Sequence, residues 1–316
     1  MRQAGAVTHL PAGWRTRRPT LDDIPELLAL AHASDIAAVG EPDFTVDEVR
    51  EALTGPNTDM AKDCWLALDA DGAVVGWAYP NNADRGDRDF LEVYVWPERG
   101  VPAQRPLLAL LLARAAERGA EFGHEAYMVR AGAIPNEKPW IEALTDAGFT
   151  FLKQHARMTM SLDGVSPVAP EPPAGITVRP VHADELRRFH ATIAEAFADS
   201  DHPAPGYEAW RSVAGDDRSD WFVAFADGEW AGVLQSSDSA AEEGSGWVKN
   251  LAVLRAYRRR GVGEALLRRA FAAYAAQGLT RAGLGVDLAN PTRAARLYRA
   301  VGMHPMYEAN IYQRQI

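Results

Sequence analysis

The chain has 316 residues, 47% of them hydrophobic and 24% charged, with a formal net charge of −10. That length suits two ordinary domains with separate cores, and the acidic balance argues against general nucleic-acid binding. No apolar run reaches the roughly 18 residues of a membrane span, and the single cysteine and the absence of a signal-like start point to the cytoplasm.

In chain order, "RRPTLDDIPELLAL" reads as a strand entering a helix whose first turn is acidic. Cys64 sits in an apolar strand-like run and reads as a buried, inert thiol. "WLALDADGAVVGWA", from Trp65, is two apolar runs about an Asp-Gly turn, the mark of a hairpin. "NEKPWIEALTDAGF", from Asn136, reads as a helix with an Asn-led start and a Gly stop. Residues 164–175, "GVSPVAPEPPAG", hold four prolines and no apolar period, which suits a linker.

Beyond the linker the pattern repeats. Arg179-Pro180 matches Arg18-Pro19, and Asp184 matches Asp23. "WFVAFADGEWAGVL", from Trp221, matches the first hairpin, and "NPTRAARLYRAVGM", from Asn290, lies on the earlier helix without a gap. Residues 1–163 and 176–316 therefore read as two copies of one mixed α/β domain. Each copy has a mostly antiparallel sheet, one parallel crossover and flanking helices.

The second copy carries the chemistry. "WVKNLAV", Trp247 to Val253, reads as a strand, "LRAYRRRGVG" as a loop, and "EALLRRAFAAYAAQG" as a helix. A helix N-terminus exposes unpaired N–H groups and a partial positive charge, and arginines add forked donors. That combination suits a pyrophosphate. The dinucleotide fingerprint fails at Leu266, and no P-loop occurs; the turn is R-x-x-G-x-G, from Arg258 to Gly263. A solvated basic face or a nucleic-acid patch is the competing reading of "RAYRRRG".

"NLAVLRAYRRRGVGEALL" and "LGVDLANPTRAARLYRAVGM" resemble two successive motifs of the GCN5-related N-acetyltransferase (GNAT) family. The resemblance implies two tandem GNAT-like domains, the first degenerate and the second catalytic, with acetyl-CoA as co-substrate. The backbone of Leu251, Ala252 and Val253 would bond the pantetheine arm. Arg258, Arg259, Arg260, Gly261, Val262 and Gly263 would cradle the pyrophosphate, with Glu264 opening the helix. Asn290 would lie near the pantetheine, and Tyr298 near the sulfur as general acid. Plain structural readings stand beside these: Tyr298 as core with Ala294 and Leu297, and Asn290 as a helix cap.

The pattern departs from the family at Trp247, where many members place a glutamate. Glu243, with Glu242 beside it, is then the candidate base, although both sit in a Gly/Ser-rich loop. Asp201, His202 and Trp247 are the candidate acceptor-binding residues, and no metal is implied. In the first copy Ala103 and Arg105 fall on the two glycines, Gly100 on Arg258 and Leu144 on Tyr298, so that copy is expected to keep the fold without turnover.

The expected activity is direct, sequential acetyl transfer to the primary amine of a small molecule, an antibiotic or a metabolite. The doubled arrangement is similar to that of the mycothiol synthases, which acetylate a cysteinyl amine on a pseudo-disaccharide. A cofactor-binding regulator without turnover and an aminoacyl-tRNA-dependent transferase are the other classes. A monomer or homodimer with no nucleic-acid or membrane partner is expected.

Overall fold

A computed structural model describes residues 9–198, 204–214, 218–237, 241, 244–288 and 294–316. The chain forms two compact units, one of Met1–His155 with Tyr307–Ile316 and one of Ala156–Met306.

The first unit contains β1 (Arg15–Arg17), α1 (Ile24–Val39), α2 (Val46–Thr54), α3 (Met60–Asp63), β2 (Trp65–Leu68), β3 (Val74–Asn81), β4 (Arg88–Val95), α4 (Gln104–Phe122), β5 (Met128–Ala133) and α5 (Lys138–Asp146). Its strands lie in the order β1-β2-β3-β4-β5, antiparallel except for the parallel pair β4–β5. Helices α4 and α5 bring Leu107, Leu111, Trp140 and Leu144 onto Leu91, Val95, Val129 and Ala131. On the other face α1 and α2 bring Leu27, Leu30, Val49 and Leu53 onto Leu66 and Trp77. Each such side chain contributes about 1.5–3 kcal/mol on full burial.

The strand β6 (Thr150–Ser161) then leads into the second unit: β7 (Ile176–Pro180), α6 (Leu186–Ala196), α7 (Tyr207–Val213), β8 (Phe222–Ala226), β9 (Glu229–Ser237), β10 (Ser245–Val253), α8 (Val262–Ala276), β11 (Arg281–Asp287), α9 (Ala294–Ala300) and the start of β12 (His304–Gln315). The order is β7-β8-β9-β10-β11, again antiparallel except for the parallel β10–β11 pair. The repeat seen in the sequence is thus a repeat of topology.

The last strand of each repeat is divided by the chain's path. Tyr307 onward belongs to the first unit, where β12 pairs antiparallel with β5 from Asn310↔Ala133 to Gln315↔Met128. The second part of β6 belongs to the second unit, beside β11. There Ala156 and Met158 are fully buried, and the Leu162 N–H donates to the Thr280 carbonyl at 2.8 Å.

Three local readings of the sequence need correction. The matched ion pairs are Arg17–Asp23 and Arg179–Glu185, both at 2.6 Å, so the equivalence falls one residue away from the Arg-Pro match. Asp23 and Glu185 close capping boxes on Thr20 and His182, which fixes that register. Asn136 does not cap α5; its amide donates to the Ala38 carbonyl at 2.9 Å, and Glu137 holds the cap position. The two Asp-Gly turns also differ. Asp227 and Gly228 both have positive φ, 52° and 84°, as a two-residue type I′ hairpin requires. The first turn is longer, with the Asp69 carboxylate accepting from Asp71 and Ala73.

Candidate active site

The strand β10 carries one extra residue at Lys249, between the pairs Val248↔Ser236 and Asn250↔Gln235. A bulge of this kind reverses which alternate side chains face each way. Val248, Leu251 and Val253 pack with α8, whereas Ala252 packs with Phe189 and Trp210 beneath α6 and α7. Asn250 donates to Gln235 at 2.8 Å, and the Trp210 indole N–H reaches the same oxygen at 3.2 Å.

The bulge also ends the parallel ladder. β10 and β11 pair only at Ser245–Trp247 with Arg281–Gly283. From Leu251 to Val253 the strand stays bonded to β9 on one edge, and its other edge does not meet β11. An open strand edge offers N–H and C=O groups to an extended amide chain.

At the end of β10 the chain makes a short turn, Arg255–Tyr257, and then enters α8. Gly261 is the helix N-cap at φ 87°, a left-handed conformation that glycine adopts without steric cost. The first bond into the helix is Ala265 N–H to the Gly261 carbonyl, at 2.9 Å. Among the described residues the N–H groups of Gly261, Val262, Gly263 and Glu264 have no intrachain acceptor. Unpaired N–H groups at the start of a helix are the kind of donor that can hold an anion. Gly263 has a packing reason as well: a Cβ there would stand 2.9 Å from the Leu297 side chain of α9 and within 3.9 Å of Val253 and Leu251.

The three arginines divide their work. Arg258 donates to the Val253 carbonyl at 3.1 Å and the Ala196 carbonyl at 3.5 Å, tying the loop to β10 and α6. Arg260 pairs with Asp227 of the hairpin turn. Arg259, at φ 62°, is exposed and has no side-chain partner among the described residues. Glu264, in the first turn of α8, is held by Arg268 at 2.8 Å.

Tyr298 sits on α9, one residue after the Leu297 that meets Gly263. It is 8% exposed and packs in the same core as Val262 and Leu266. Burial pushes its phenol up to about 12, so it holds its proton at neutral pH. Trp247 lies over Gly283, where a Cβ would come within 2.8 Å of the indole, and the Arg157 guanidinium stacks at 4.6 Å.

The structure thus draws Leu251–Val253, Gly261–Glu264 and Tyr298 toward one end of β10, with Trp247 on the far side of the bulge. Asp201, His202, Glu242, Glu243 and Asn290 lie outside the described residues. Gln235, Asn250 and Arg157 were not anticipated; a glutamine inside the apolar run "GVLQSS" was their one sequence signal. No acidic, His or Cys cluster suited to a metal ion occurs among the described residues.

The corresponding turn of the first unit consumes its own donors. Gly100 N–H bonds Trp96 O, Val101 N–H bonds Glu98 O and Ala103 N–H bonds Gly100 O. A Cβ on Gly100 would be 2.3 Å from the Val75 carbonyl, so this turn is closed onto the sheet. Leu144, fully buried, occupies the place of Tyr298.

Residues 183–303 match the acetyltransferase (GNAT) family. The chain is 29% identical to a mycothiol acetyltransferase of Streptomyces scabiei, over 97% of either chain. It is 30% identical to that of Streptomyces avermitilis, over 75% of either chain. A GCN5-related N-acetyltransferase from Sphaerobacter thermophilus superposes with a TM-score of 0.85, at 26% identity over 97% of both chains. A tandem GNAT protein from the clavulanic acid pathway shares the fold alone, with a TM-score of 0.66, 16% identity and coverage of 96% of this chain and 98% of that one.

Proposed function

Because the chain belongs to the GNAT family of acyltransferases, we propose that its second unit transfers an acetyl group from acetyl-CoA to the primary amine of a small molecule. The observation that carries this reading is the conjunction of free N–H groups at the start of α8 with the open edge of β10.

These residues fit acetyl-CoA, which supplies the acyl group as an activated thioester. The amides of Gly261–Glu264 would hold the diphosphate, with Arg259 adding charge. The Leu251–Val253 edge would align the pantetheine amides, and Asn290 would lie near that arm. Glycine at 261 supplies the left-handed turn into α8, and glycine at 263 leaves room for Leu297.

Two protons have to move. A lysine-like amine with a pKa of about 10.4 is only about 0.04% neutral at pH 7, so the site has to take a proton from it. Glu243 is the proposed base. Trp247, Asp201 and His202 are proposed to border the acceptor. Tyr298 is proposed to donate a hydrogen bond or proton to the leaving sulfur; its phenol is neutral at working pH. Holding both reactants in line contributes more than either proton transfer. Transfer is direct, since Cys64 is buried in the first unit and burial raises its thiol to about 12.

Among acceptors, the mycothiol acetyltransferases matched over most of the chain favour a cysteinyl amine on a pseudo-disaccharide. The test is thiol release from acetyl-CoA across a panel of primary amines that includes this one. Release dependent on one amine is expected. Tight acetyl-CoA binding with no release from any amine would favour a regulator instead.

A further inference from the structure

We propose that the first unit carries a binding site for a small protonated amine, on the sheet face beneath α1 and α2, built from Asp35, Glu92 and Glu137 with the rings of Trp77, Tyr79 and Tyr94. The proposal concerns a different unit from the acetyl transfer and does not rest on it.

Strand register assembles the patch. Trp77 faces Tyr94 and Tyr79 faces Glu92 across β3 and β4. Residues two apart on a strand share a face, so all four side chains stand together. Trp77 stacks on Tyr79 at 4.6 Å and lies 5.8 Å from Tyr94, with Phe44 closing the edge at 5.3 Å from Tyr94. Asp35 comes from α1 and Glu137 from the turn before α5. That turn is pinned by Ile134 N–H to Glu137 at 2.6 Å and by Asn136 to the Ala38 carbonyl.

The charges do not balance. Among the described residues Glu92 has no hydrogen bond or ion pair, and the charges acting on it are those of Glu137 and Asp35, both negative. Asp35 accepts the Asp43 N–H at 3.0 Å, and Asp43 accepts the Tyr307 hydroxyl at 2.8 Å. The other polar neighbours are engaged: His32 with the Phe44 carbonyl, Glu48 with Thr45, and Arg130 of β5 in interactions of its own. Burial, with mutual repulsion added to it, pushes Glu92 up to about 8 and Asp35 to about 6, and raises Glu137. A bound cation would relieve that repulsion.

A second observation is independent of the carboxylates. Trp77 is fully buried within this ring cluster, yet its indole N–H has no acceptor. A buried donor without an acceptor costs about 1–3 kcal/mol. An oxygen adjacent to the ligand's ammonium would complete it, and the aromatic walls favour the cation. No described acidic cluster is spaced for a metal ion, which favours a larger organic cation. The second unit has no such need: its equivalent pair, Gln235 facing Asn250, is neutral and mutually hydrogen-bonded. The ligand class is therefore an amine with a neighbouring hydroxyl or ether oxygen, such as an amino alcohol.

The test uses the full-length protein labelled with 15N, following the Trp77 indole resonance, assigned through Trp77→Phe, and the thermal midpoint. Ethanolamine should shift that resonance saturably, with half-saturation at or below about 10 mM. It should also raise the midpoint, whereas N-acetylethanolamine should do neither. Glu92→Gln, which keeps the shape and cannot give up a proton to become a carboxylate when the ammonium binds, should weaken binding about tenfold. No saturable response to ethanolamine, an equal response to the uncharged amide, or unchanged affinity in Glu92→Gln would each overturn the proposal.

Discussion

Tyr298 has no described hydrogen-bond partner, and only burial acts on its phenol, lifting it to about 12. A group so placed stays a donor throughout the physiological range. Tyr298→Phe should lower kcat about 100-fold, at the modest end for a positioned acid, while acetyl-CoA affinity changes by less than about twofold. Steady-state kinetics with calorimetry decide it, and equal turnover would return Tyr298 to packing. Glu92 supplies a pH dependence of opposite character. Its carboxyl rises from 4.5 to about 8 on folding, so across that window the native state binds a proton that the unfolded chain releases. Stability from this group is complete below the lower value and is lost as pH climbs through the upper one. Melting curves should show Glu92→Gln matching the wild type near pH 4 and exceeding it by a few degrees near pH 8. Motif spacing along one helix or turn is what singles out Tyr298 and the two glycines in the sequence as candidates. The Glu92 patch was not, because cross-strand register is needed to gather side chains from four separate segments.

Elements repeat more faithfully than their polar fastenings. Strand alternation, helical period, Gly stops and Asp-Gly turns made the order of both repeats readable, since each is a local property of the backbone. The Lys249 bulge was not readable: "WVKNLAV" looks like ordinary alternation, and the extra residue shows only against β9. Nor was the buried network of the first unit, in which Arg118 of α4 bonds Asp63 of α3 and Asp89 of β4, each at 3.0 Å. Asp89 also accepts the Tyr127 hydroxyl at 2.8 Å, and Arg114 reaches Asp63 at 2.7 Å. Burial still wins at Asp89, whose carboxyl is raised in spite of these partners. Removing one partner strands the rest, so Arg118→Ala should destabilise the protein by about 3–5 kcal/mol. Chemical denaturation measures this, and a loss below about 1 kcal/mol would show that water replaces the guanidinium.

For the whole molecule, the division of β6 and β12 matters most. A fragment starting at residue 170 lacks Ala156, Met158 and Leu162, all of them buried in the second unit's core. Met158 and Leu162 alone represent about 2 kcal/mol each. Such a fragment also carries Tyr307–Ile316 without the β5 that this segment pairs with, leaving an unpaired edge prone to aggregation. Residues 1–163 and 164–316 expressed separately should be insoluble or inactive, and co-expressed they should recover a soluble, active protein. An active, stable 164–316 alone would show that the first repeat is dispensable. The duplication was visible in the sequence, but strand partners more than a hundred residues away leave no local trace.

The central claim is that α8 grips the diphosphate of acetyl-CoA through main-chain N–H groups starting at Gly261. Calorimetric titration of acetyl-CoA into the wild type, Gly261→Asn and Gly261→Asp tests it most directly. Both variants tolerate a left-handed φ better than most residues, and only one adds charge. The account predicts that affinity falls at least tenfold in Gly261→Asp, with Gly261→Asn between it and the wild type and all three proteins folded. Wild-type affinity in a folded Gly261→Asp protein would contradict it.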